Sequence, residues 1–78
     1  MERITRGMLE RKVREIQALG HADIQLDHHQ PGGNRETWAV EDLTGSRRLG
    51  YSGRMTVREC FLYLCGIIYT LEYQQLHK

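Results

Sequence analysis

The sequence predicts one α+β domain of order α-β-β-β-α, with a three-stranded antiparallel sheet and two helices packed on one of its faces. Three observations carry that prediction. Apolar residues recur at helical spacing near both ends of the chain. Between them lie short segments of alternating apolar and polar residues, separated by glycine-containing turns. Each helical run opens on a threonine suited to cap it.

The first helix follows Thr5, a good N-cap because its hydroxyl can accept from an amide of the first turn. Ile4 and Leu9 have the spacing of a hydrophobic staple around that cap. Leu9, Val13, Ile16 and Leu19 form one apolar stripe, with Arg11, Lys12, Arg14 and Glu15 elsewhere. Gly20 supplies the left-handed residue that stops the helix.

The middle of the chain reads as a meander. Ile24, Leu26 and His28 alternate with Gln25, Asp27 and His29, and Pro31-Gly32-Gly33-Asn34 is a turn. Trp38 and Val40 face one way on the second strand, Thr37, Ala39 and Glu41 the other. Thr44-Gly45-Ser46 turns the chain again into a short third strand, Arg48 to Tyr51. The face predicted to meet the helices carries Ile24, Leu26, Trp38, Val40, Leu49 and Tyr51. The open face carries Gln25, Asp27, His29, Arg35, Thr37, Glu41 and Arg48.

The last helix is the most strongly encoded element. Thr56-Val57-Arg58-Glu59 is a capping box, and Met55 and Cys60 frame it as a staple. Cys60, Phe61, Leu64, Ile67, Ile68 and Leu71 make one apolar face. Leu62, Cys65, Tyr69, Tyr73 and Leu76 make a second. A helix apolar on two sides needs more than one small sheet to cover it. Either the first helix and the sheet wrap it, or a second copy or a partner takes the spare face. Gly66 in the middle leaves room for another backbone.

Composition narrows the function. The 78 residues carry 11 Lys and Arg against 10 Asp and Glu, a net charge of +1, where nucleic-acid-binding domains are usually basic. Two cysteines are too few for a disulfide framework, and the charged N-terminus lacks the apolar core of a signal peptide. A reduced, cytoplasmic setting is expected. The longest apolar run, Phe61 to Ile68, is too short to span a bilayer.

No metal or cofactor is expected. His28 and His29 are adjacent on a strand and point to opposite faces, and Cys60 and Cys65 lie about 140° apart around a helix. The carboxylates show no spacing that singles out an acid/base pair. Cys60, in a first helical turn, is the residue an enzyme reading would use as nucleophile. Its staple position predicts burial instead. Candidate binding residues are those around the first turn, His28, His29, Gly32 and Arg35, and the basic and aromatic stretch of Arg47, Arg48, Tyr51 and Arg54. Pro31 to Arg35 could also cradle an anion, which would suit a protein that sequesters a small nucleotide.

The order of elements resembles that of double-stranded RNA-binding domains over the whole chain. In that family a glycine-rich turn precedes a lysine cluster at the start of the last helix. Gly50-Tyr51-Ser52-Gly53-Arg54-Met55-Thr56-Val57-Arg58 stands at that place here, with only Arg54 and Arg58 as counterparts of the cluster. Such a module would bind phosphates, and the basic cluster that dominates that affinity is mostly missing. The run of Thr5 to Leu19, Gly32-Gly33 and Thr56 to Ile68 also resembles small phage and prophage proteins. That resemblance implies a non-catalytic accessory or inhibitor acting in a host cytoplasm on a host macromolecule, immune machinery included. A homodimer through residues 60–76 is the expected assembly, with Leu62, Cys65, Tyr69, Tyr73 and Leu76 at its interface.

Overall fold

A computed structural model describes residues 3–30, 36–44 and 50–76. Its elements are α1 (Arg6–Ala18), β1 (Ile24–His29), β2 (Thr37–Asp42), β3 (Gly50–Tyr51) and α2 (Val57–Leu76). The strands form one antiparallel sheet in the order β1-β2-β3. The architecture is the α+β arrangement expected from the sequence.

Both threonine caps form. The Thr5 hydroxyl accepts from the Met8 amide at 3.3 Å, and the Met8 sulfur takes the Thr5 amide at 3.4 Å. At α2 the Glu59 amide donates to Thr56 Oγ at 3.2 Å, and the Thr56 amide donates back to Glu59 Oε1 at 2.9 Å. That reciprocal pair satisfies two otherwise orphaned donors. α1 ends in a Schellman turn. The Gly20 amide donates to Gln17 and the His21 amide to Ile16, while Gly20 takes φ +111°.

The pairing register decides which side chains go inside. Ile24 lies opposite Asp42, Leu26 opposite Val40 and His28 opposite Trp38. These six share the face toward the helices, since opposed residues of an antiparallel pair point the same way. The core is Leu9, Val13 and Ile16 of α1, Ile24, Trp38 and Val40 of the sheet, and Cys60 and Leu64 of α2. Leu26, Met55, Phe61, Ile67, Ile68 and Leu71 pack around it, half-buried.

Two expectations about the sheet are corrected. Tyr51 does not meet the helices. It pairs with Glu41, on the open face, and is 57% exposed. Glycine at position 50 takes φ +81°, and β3 is only two residues long, so parity counted along a longer strand does not hold. Ala39, expected on the solvated face, is fully buried. Arg54 follows β3 at one edge of the sheet, and its guanidinium reaches Asp27 Oδ2 on β1 at 3.1 Å and the Asp27 carbonyl at 3.4 Å. Ala39 pairs with Asp27 in register on β2, the strand between β1 and β3. The rest of the predicted third strand, Arg48 and Leu49, and the turns at 31–34 and 45–46 lie outside the described residues.

Candidate functional site

α2 is 20 residues long and α1 is 13. At 1.5 Å per residue the longer helix outruns the shorter by about 10 Å. Its first half therefore carries the residues that are fully enclosed, Cys60 and Leu64. Its outer side carries Leu62 at 60% exposure and Tyr69 at 73%, with Tyr73 and Leu76 also exposed. α2 packs on both α1 and β2, yet Leu62, Tyr69, Tyr73 and Leu76 of its second apolar face stay exposed. Cys65, expected at the centre of that face, is half-buried.

Beside this face runs a groove of about 870 Å³, walled by Leu19 and His21 from the end of α1 and by Leu62, Tyr63, Gly66, Ile67 and Thr70 of α2. A methyl group placed on Gly66 would have nothing within 4 Å. No contact among the described residues requires glycine there, though mid-helix glycine costs about 1 kcal/mol relative to alanine.

His21 brings an unexpected polar pair to one end of the groove. Its Nδ1 lies 2.8 Å from Asp42 Oδ2, and both side chains are buried. The Thr44 amide donates to Asp42 Oδ1 at 2.9 Å. The geometry has a simple origin. Trp38, Val40 and Asp42 alternate inward on β2, so the strand's last residue places a carboxylate at the edge of the core. The Schellman turn puts His21 just beyond the end of α1, where it meets that carboxylate. The sequence held one signal for this pair, the continued parity from Trp38 through Val40 to Asp42.

The predicted histidine pair is split as expected. His28 faces inward, its ring stacked on Trp38 with centroids 4.2 Å apart, while His29 is exposed. His28 Nε2 is 2.7 Å from Glu36 Oε1, an ion-pair distance on a line too bent for a hydrogen bond. Arg6 lies over the other part of this cluster, its guanidinium carbon 6.0 Å from the centre of the Trp38 ring. Trp38 is 2% exposed, and its Nε1–H is buried with no acceptor among the described residues. Such an unmet donor costs about 1–3 kcal/mol.

The remaining candidates divide. Tyr51 and Arg54 are both exposed, with Arg54 committed to Asp27. Gly32, Arg35, Arg47 and Arg48 lie outside the described residues. Cys60 is fully enclosed, and burial pushes its thiol up to about 11, so at neutral pH it is protonated and unsuited to attack. No group of three or more His, Cys, Asp or Glu side chains among the described residues is placed to hold a metal ion, and no described helix is long and apolar enough to cross a membrane.

No family model, curated protein or solved structure matches this chain.

Proposed function

We infer that this is a small non-catalytic binding protein that self-associates through α2 and binds and modulates another macromolecule, as an accessory protein of the phage type would a host component. The observation that carries the reading is the apolar face left open by α2, with Leu62, Tyr69, Tyr73 and Leu76 outward. Large apolar surface exposed together marks an interaction site.

A second copy fits this face. From Cys60 to Leu71 the helix carries no charged residue, so a two-fold contact of the stretch with itself opposes no like charges. Gly66 sits midway along it with open space above, which allows two helices to cross closely. The open sheet face, with His29, Tyr51 and Arg54, is left for the macromolecule. The basic stretch offers less to nucleic acid than its sequence suggested, because Arg54 is already paired.

Light scattering on the purified protein tests the assembly. A species of twice 9.1 kDa is expected, reverting to a folded monomer in Tyr69→Glu/Tyr73→Glu. A monomer at 100 μM by the same measurement, unchanged by that double variant, would remove the dimer. Nuclease-resistant capture of one protein, lost with substitutions at Tyr51 and His29, is the expected outcome for the sheet face.

A further inference from the structure

The second groove of the molecule lies away from the distal half of α2 and encloses about 710 Å³. Its walls join the starts of both helices: Arg3, Thr5 and Arg6 from α1, and Val57 and Arg58 from α2, with Trp38 and His28 of the sheet between them. Helix N-termini carry partial positive charge, although the Thr5 and Thr56 caps already take one amide of each first turn and Glu59 lies in the first turn of α2.

That arrangement alone would not make a site. The further observation is the Trp38 Nε1–H, a buried donor on a groove-lining side chain 2% exposed, with no acceptor among the described residues. The charges nearby are also unbalanced. Arg6 is shared with Glu10 at 2.9 Å, but Arg3 and Arg58 are exposed and make no ion pair among the described residues. Against them stands Glu36, whose carboxylate is drawn to His28. It occupies the position an incoming anion would take, and it is half-exposed.

We propose that this groove binds a small phosphate monoester, held by Arg3 and Arg58 and accepting a hydrogen bond from Trp38 Nε1. A phosphate carries close to two negative charges at neutral pH and three acceptor oxygens pointing in different directions. It therefore suits donors that arrive from two helices and a strand better than a planar, singly charged carboxylate does. The volume suits a small molecule rather than a polymer. Binding requires Arg6 to lift from the indole and Glu36 to give way, so both act as occupants the ligand displaces.

Trp38 is the sole tryptophan and lines this groove, so its fluorescence reports on binding there. Inorganic phosphate titrated against chloride of matched ionic strength is expected to give a saturable change in emission. Adenosine monophosphate and phosphoserine, in separate arms, distinguish a nucleotide from a phosphorylated amino acid as the source of the group. Arg3→Ala/Arg58→Ala should weaken binding at least about tenfold, the loss expected of a charge-assisted contact. Glu36→Gln should strengthen it severalfold, and Arg14→Ala, on the outer face of α1, should leave it unchanged. A response no different from chloride, or one that the double arginine variant retains at full affinity with an unchanged melting temperature, overturns the proposal.

Discussion

Two histidine–carboxylate pairs in this molecule have nearly the same length and quite different surroundings. His21 and Asp42 meet at 2.8 Å with both side chains buried, and the Thr44 amide also donates to the carboxylate. His28 and Glu36 meet at 2.7 Å with the glutamate half in water and the line of contact bent. Distance alone would rank them equal. Burial separates them: a partner removed from the first leaves a polar group stranded in the core, whereas a partner removed from the second is replaced by water.

The sharpest break of this contrast is Asp42→Ala. It strands His21 and the Thr44 amide together and is expected to cost about 3–5 kcal/mol, most of the stability of a domain this size. Urea unfolding monitored by circular dichroism measures it, and a loss below 1 kcal/mol would show that water reaches the pair freely. Asp42→Asn keeps one acceptor oxygen and should cost less, about 1–3 kcal/mol by the same measurement.

The contrast between buried and open positions extends to the thiols. Cys60 is raised from 9.0 to about 11 by burial, so between those values the unfolded chain loses a proton that the folded chain keeps. Stability should therefore fall as pH rises from 9 to 11. Cys60→Ala should flatten that part of the curve in calorimetry taken at half-unit steps. A native-state thiol reagent should modify half-buried Cys65 first and Cys60 only on unfolding. The smallest effect belongs to Glu36→Gln, expected to change the unfolding free energy by no more than about 1 kcal/mol. A larger loss would place His28–Glu36 among the structural pairs.

Much of this fold was legible because its signals are local. The Thr5 and Thr56 caps, the Gly20 stop and the stripe of Leu9, Val13 and Ile16 each depend on residues within a turn or two, and all form as the sequence indicated. The two apolar faces of α2 were legible too, and Leu62, Tyr69, Tyr73 and Leu76 of the face expected to be spare are exposed, while Cys65 of that face is half-buried. What escaped was set by register. His21 and Asp42 are 21 positions apart and meet only because Ile24 pairs with Asp42. Tyr51 was misplaced for the same reason, since β3 is too short for alternation to be counted along it. The cluster of Arg6, His28 and Trp38 joins a helix start to two strands, and nothing local announces it.

One hydroxyl near the edge of the sheet has a further consequence. Past Tyr51 the chain stays on β2 through Ser52, whose amide donates to the Val40 carbonyl at 2.9 Å while the Val40 amide donates to Ser52 Oγ at 2.8 Å. A rotatable side chain thus stands where a ladder would use a fixed carbonyl. A single turn about χ1 of Ser52 releases the Val40 amide without moving any backbone. In hydrogen exchange that amide should lose its protection well before those of Trp38 and Met55, which hold each other's carbonyls at 2.8 Å. The backbone bonds at Ser52 and Met55 stay closed through that turn, so the segment leading into α2 remains on the sheet while one amide beneath it opens to water.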